Sequence, residues 1–163
     1  MDRAERRARA NESGLTLVEI IIVFLIFGLV TSMALPRALN LGSEARRAKA
    51  EALHARVRAA ALATRESALS GQTGSLDGAG EVQLDGTAIQ TNFGYPEASA
   101  AGIVRAARIE PAADLVQMAG GGTRAGTAIL LIVEGARGTC DVLYRSPAAP
   151  NTPPAITLST KGC

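Results

Sequence analysis

From Leu15 to Leu35 the chain runs 21 residues with one charged side chain, Glu19, near its front edge. Fourteen of the 21 are Leu, Ile, Val or Phe. A helix that is apolar on every face has to be covered by lipid or by other helices. At about 1.5 Å per residue the segment is long enough to cross a hydrocarbon core roughly 30 Å thick. The fourteen large apolar residues favour insertion by roughly −4 to −8 kcal/mol in sum, and one central acid opposes it by about +2.5 to +3.5 kcal/mol. Glu19 lies near the end, where the cost is smaller, so insertion wins and the carboxylate is tolerated.

The residues alone leave the role of this segment open. A secretory signal peptide would end at the small-x-small sequence "SMA", Ser32 to Ala34, but Glu19 and the length of the apolar run oppose it. A plain membrane anchor fits the energetics. Its orientation is not set by positive charge, because Arg3, Arg6, Arg7 and Arg9 before the run are matched by Arg37, Arg46, Arg47 and Lys49 after it.

The helical pattern continues past the run. "SEARRAKAEALHARVRAAALATRESAL" is rich in Ala, Arg, Glu and Leu and has no proline, so it predicts a strong helix. Leu53, Val57, Ala60 and Ala68 make one apolar stripe, and Ala55, Ala59, Leu62 and Leu69 make a neighbouring one. Gly71 is the expected stop. Pro36 removes a backbone donor and predicts a kink or local melt, with Gly28 as an accomplice. His54, the one histidine, reads as a surface residue of this helix.

After Gly71 the composition turns to Gly, Asp and Thr with short β-like runs. Val82, Leu84, the Asp85-Gly86 pair and Ile89 spell a hairpin. A turn is expected at Gly94-Tyr95-Pro96, then a short helix over Glu97 to Arg108. Ala128 to Glu134, Cys140 to Arg145 and "AITLST" read as strands, and "SPAAPNTPP" as a proline-rich loop. The layout is α+β: one long N-terminal helix packed on an antiparallel sheet. The chain therefore divides into a polar leader (1–14), an apolar membrane or assembly helix (15–36), its amphipathic continuation (37–70) and a β-sheet head (71–163).

Several chemistries find no seat in the chain. A net charge of +2, with Arg46 to Arg58 interleaved by acids, is a solvated helix face and no nucleic-acid footprint. "AGGGTRAG", Ala119 to Gly126, lacks the Lys and Ser/Thr of a phosphate loop and reads as a flexible surface loop. The Asp-Gly pairs at Asp77 and Asp85 lack calcium-loop spacing and read as turns. With a single histidine, no catalytic triad or Cys/His zinc site is supported, so no cofactor, no metal and no enzymatic activity is expected. Cys140 and Cys163 are either two free thiols or a disulfide, which needs an oxidising compartment and would stabilise by roughly 3 kcal/mol.

"SGLTLVEIIIVFLIFGLVTSMALP", Ser13 to Pro36, resembles the N-terminus of type IV pilins and pseudopilins, the substrates of prepilin peptidase. The resemblance implies cleavage between Gly14 and Leu15 and N-methylation of Leu15, although members usually begin with Phe or Met. It makes Glu19 the characteristic assembly acid, with Thr16, Gly28 and Pro36 as matching assembly positions. In the head, "NFGYPEASAAGI", "CDVLYRSPA" and the Gly-Cys at 162–163 resemble the mannose-sensitive haemagglutinin (MSHA) class of type IVa pilins. That second resemblance implies a Cys140–Cys163 disulfide, which major type II secretion pseudopilins usually lack.

The resemblance further implies a structural subunit of a type IV pilus-like filament, serving adhesion, motility or uptake. Its partners would be further copies of the chain in a helical homo-oligomer, the prepilin peptidase, an inner-membrane platform protein, an assembly ATPase, an outer-membrane secretin and, before assembly, inner-membrane lipid. The precursor would be a single-pass inner-membrane protein with a periplasmic head, and the assembled form extracellular. A type II secretion pseudopilin, a minor pilin and a signal-anchored periplasmic binding protein are the rival readings.

Overall fold

The computed structural model describes residues 16–71 and 75–163, except for the side chains of residues 30–41. The chain forms two compact units, Met1–Gly42 and Ser43–Cys163. Helix α1, Leu17–Leu69, supplies the described part of the first unit and opens the second. The helix runs through Pro36 without a break, so the local melt expected there is not found.

In the second unit α1 buries Ala50, Leu53, Val57, Ala60, Ala61, Thr64 and Ala68. Steps of three and four residues put these on one side of a helix. They include the whole of the first predicted stripe. The second is not buried: Leu62 and Leu69 are 57% and 60% exposed, and Ala55 and Ala59 are exposed too. Both stripes are apolar and similar in size, so the packing of the sheets, not the helix, decides which side is covered. Thr64 is tolerated inside because its hydroxyl donates to the Ala60 carbonyl at 2.8 Å. The helix stops as expected: Gly71 takes a φ of 78°, and the Ser70 amide still donates to Glu66 O at 3.0 Å. His54 is half-buried rather than exposed.

The strands form two antiparallel sheets. The first has the order β1 (Ala79–Leu84), β2 (Thr87–Asn92), β3 (Tyr95–Pro96). Asp85 and Gly86 both adopt positive φ, 50° and 75°, as a type I′ hairpin requires, and Val82 pairs with Ile89. The next turn lies at Phe93-Gly94, φ 54° and 76°, one residue earlier than expected. Tyr95 and Pro96 are therefore strand, and Pro96 fits because β3 is an edge.

The helix expected over Glu97 to Arg108 is present in a shorter, irregular form: a wide turn over Ala100–Val104 that continues helically through Ala106. Gly102 leaves helical geometry there (φ −95°, ψ −109°), and a Cβ at this position would collide with the Glu97 carbonyl. Ser99 holds the turn: its hydroxyl accepts the Gly102 amide at 3.0 Å and donates to Glu97 Oε1 at 2.6 Å.

The second sheet has the order β4 (Val116–Gly120), β5 (Ala128–Val133), β6 (Asp141–Arg145), β7 (Ala155–Ser159). A one-turn helix, α2 (Pro111–Asp114), leads into β4. Strands β5, β6 and β7 lie where the alternating runs put them. β4 has no such pattern, because only its first residue is buried. The glycine-rich stretch after it is exposed yet pinned: Gly121 donates to Ala128 O and Gly122 to Ala98 O, each at 2.8 Å. Tyr144 on β6, fully buried, donates its hydroxyl to Pro96 O at 2.6 Å and so links the two sheets. Burial pushes that phenol well above its ordinary pKa. The core lies between α1 and the sheets, around Leu53, Val57, Ile89, Ile103, Leu131, Val142 and Tyr144.

Candidate functional site

The candidate site begins where α1 does. Thr16 precedes the helix, and its hydroxyl accepts the Glu19 amide at 3.2 Å. The Ile20 amide reaches the Thr16 carbonyl at 3.2 Å, the first full turn. Thr16-x-x-Glu19 is the pattern of an N-terminal capping box, in which a threonine hydroxyl satisfies an amide that has no partner inside the helix. Thr16 is thus more than a family position: it sets where the helix starts. Glu19, in the first turn, also stands where the helix dipole favours a negative charge.

The residues that follow are exposed on all sides. Leu17 is 75% accessible and Phe24 72%, and Ile20 to Phe27 are exposed without a break. So much apolar surface cannot stay in water, since contiguous patches on lone soluble chains seldom exceed a few hundred Å². Among the described residues, no helix is long and apolar enough to cross a membrane. A Cβ added at Gly28 would meet no atom within 4 Å among the described residues. Gly14, Leu15 and the Pro36 side chain lie outside the described residues.

The head is stapled at its far end. Cys140 and Cys163 are bonded, with Cα atoms 4.9 Å apart across 23 residues of sequence. The bond ties the start of β6 to the segment after β7. Cys140 is fully buried beside Ala50 and Val133. Arg46 on α1 donates from Nε to the Cys163 main-chain oxygen at 2.7 Å, so the staple is also fastened to the helix. The tail lies so close to the preceding loop that a Cβ on Gly162 would overlap Gly138.

Two more arginines of α1 position the loops. Arg56 donates to Asp114 Oδ1 at 2.9 Å and to Ala107 O at 3.2 Å, clamping α2 to the long helix. That guanidinium, and then the Glu110 amide, hold the Asp114 carboxyl below its ordinary pKa. Arg65 donates to Phe93 O at 2.7 Å and stacks 5.1 Å from the Tyr95 ring centroid, fixing the β2–β3 turn. Sequence reading identified none of these arginines, because their partners lie 28 to 117 residues away. The Thr16–Glu19 cap did have a local signal, the T-x-x-E spacing before an apolar run. Among the described residues, no group of three His, Cys, Asp or Glu could hold a metal ion.

A family model described as "Prokaryotic N-terminal methylation motif" matches residues 9–35. The chain carries the type IV pilin/prepilin-peptidase substrate signal. The matched residues cover the Gly14–Leu15 junction, Thr16, Glu19, Gly28 and the whole apolar run from Leu15 to Leu35. This signal belongs to a family of structural proteins, and it goes here with a long helix packed on antiparallel sheets, a pilin-like α+β fold. Neither curated proteins nor solved structures gave a significant match.

Proposed function

We propose that this chain is a structural subunit of a type IV pilus-like filament, made as an inner-membrane precursor and polymerised after its leader is removed. The observation that carries the reading is the methylation motif at residues 9–35, with a capped, exposed apolar helix beginning just after the proposed cut. Prepilin peptidase would cleave between Gly14 and Leu15, removing residues 1–14. Methylation of the new α-amino group on Leu15 keeps its positive charge.

The apolar segment 15–36 would lie in the inner membrane before assembly and in a bundle of like helices afterwards. Glu19 gives the bundle its register. Among the described residues nothing pairs with its carboxylate. Once copies pack together, a lone carboxylate among apolar side chains is costly. The ammonium on Leu15 of a neighbouring copy is the partner its chemistry asks for. Extraction from the membrane and export would need a platform protein, an assembly ATPase and an outer-membrane secretin. Gly28 and Pro36 would let the helix adapt to the bundle.

The Cys140–Cys163 bond favours a pilus subunit of MSHA-like type over a type II secretion pseudopilin. Intact-mass and N-terminal analysis of the sheared surface fraction tests the whole reading. It should find a chain that starts at methylated Leu15 with both cysteines oxidised. A start at Leu35, or an intact Met1, overturns the proposal.

A further inference from the structure

Within the head, α1 is fastened to the rest of the fold unevenly along its length. Near its end, Arg65 holds the β2–β3 turn and Ser67 donates to Gln83 O at 2.9 Å. In the middle, Leu53, Val57, Ala60 and Ala61 join the main core, and Arg56 is paired with Asp114. At its entry the fastening is thinner. Ser43, Glu44 and Ala45 are exposed, and Ala50 is the first α1 residue of this unit to be fully buried.

Ala50 does not join the main core. Its buried companions are Val133 and Cys140, with Cys163 packed against them. Arg47 bonds within the helix, to Glu51 at 3.1 Å, and so adds nothing to the docking. Arg46 differs: it is half-buried, and its Nε donates to Cys163 O at 2.7 Å, 117 residues along the chain. The Cys140 sulfur lies 3.9 Å from the Arg46 carbonyl oxygen. Among the described residues, no other side chain from Ser43 to Leu53 hydrogen-bonds to the strands, loops or tail of the head. The entry of α1 therefore rests on the two bonded cysteines. The tail that carries Cys163 has little else to hold it: the Arg137 amide donates to Gly162 O at 3.2 Å, and the Gly162 amide to Thr139 O at 2.8 Å. Without the sulfur–sulfur bond, a segment with so few contacts opens locally. Arg46 then loses a fixed acceptor, and Ala50 loses part of its cover.

We propose that the Cys140–Cys163 pair is a redox-operated clasp on α1. Oxidised, it holds the tail where Arg46 binds it and docks the helix entry. Reduced, it releases that entry while the rest of α1 stays in place. Closing the clasp removes two electrons and two protons from the thiols. Thiol–disulfide exchange passes them to an oxidant disulfide, which leaves as a dithiol. An oxidising compartment supplies such an oxidant, so α1 is fully docked only after the head has reached one. The guanidinium–carbonyl contact is charge-assisted and of the stronger kind, but it forms only when its acceptor is held at short range. Arg46 is thus a positioning residue that acts through the staple. The inference concerns a single chain and stands apart from the filament reading.

The test is hydrogen exchange, read by mass spectrometry, on the detergent-solubilised full chain, oxidised or reduced with a phosphine. Reduction should speed exchange by about tenfold or more over residues 46–53, through local opening, and by less than about twofold over 57–61. Oxidised Arg46→Ala should show the same loss over 46–53, while Ala155–Ser159 stays protected by the intact bond. Reducing that variant should add nothing at the helix entry, because the clasp is already open there. Unchanged exchange over 46–53 on reduction, an equal rise over 57–61, or additive effects of Arg46→Ala and reduction overturn the clasp. Each of those results leaves the filament reading standing.

Discussion

Removing the Cys140–Cys163 bond should destabilise the head by about 3.4 kcal/mol. The figure follows from loop closure: residues 23 apart in sequence give an entropy of roughly −11.5 cal/mol/K, or about 3.4 kcal/mol at 25 °C. A domain of this size has about 5–15 kcal/mol of stability in all. The loss is therefore a quarter or more of the total and shifts Tm downward by about 10–17 °C. It should also be local at first. β7 is an edge strand, paired only with β6, and the tail after it is held by the staple, the Arg46 contact and a few main-chain hydrogen bonds.

Thermal unfolding of the detergent-solubilised full chain, oxidised and reduced, reads the magnitude. Hydrogen exchange reads the place: protection should fall first over Ala155–Ser159 and the residues after it. Cys163→Ala should behave like the reduced wild type, and reductant should do nothing further to it. A reduced chain that melts within 2–3 °C of the oxidised one, or whose exchange rises uniformly, refutes the loop-closure argument.

Three other outcomes follow from the geometry. Glu19→Ala should leave membrane insertion intact, since it removes the one charge from the apolar run, but abolish filaments; with a buried ammonium left alone, each lost pair costs about 3–5 kcal/mol, and normal filaments on a shear assay would remove the pairing argument. Tyr144→Phe should cost the head about 1–3 kcal/mol in chemical denaturation, because the buried Pro96 carbonyl loses its 2.6 Å donor; a neutral result would mean that water or another donor replaces it. Asp114 is the pH-sensitive contact: its carboxyl is held below its ordinary pKa, so its contribution is complete above the unfolded value near 3.9 and is lost as pH falls through the lower folded value. Asp114→Asn should therefore flatten the acid limb of the stability curve below about pH 4, as followed by circular dichroism, and an unchanged limb would place the acid sensitivity elsewhere.

How much of this was legible in the chain varies with the range of the interactions. The Asp85-Gly86 hairpin was readable because a positive-φ pair between alternating residues is a local signal. The Leu53, Val57, Ala60 and Ala68 stripe was readable from its period. The choice between it and the Ala55, Ala59, Leu62 and Leu69 stripe was not, because alanine spreads apolar character around the helix and only the sheet decides which side is covered. Strand β4 escaped because an edge strand with one buried residue has no alternation. The helix expected over Glu97 to Arg108 starts three residues late and is kinked at Gly102, where the chain folds back against Glu97 in a way that helix propensity does not show. At the N-terminal site, Glu19 was readable as an acid that an apolar run does not need, whereas its amide contact with Thr16 took the structure to see.

The contrast between the two units gives the assembly reading its physical basis. The head covers its own apolar residues: Leu131, Val142 and Val57 are fully buried within one chain. Among the described residues of the N-terminal segment none is covered, and Leu17 to Phe27 stand exposed around the whole circumference of the helix. A lone membrane anchor would account for that exposure by lipid alone. It would not account for Glu19, which lowers the gain from insertion and makes no ion pair among the described residues. An acid retained against the energetics of insertion has to be repaid in a second environment. In the filament reading proposed above, the positive charge it would meet there is the one that leader cleavage would create on Leu15, four residues away in sequence.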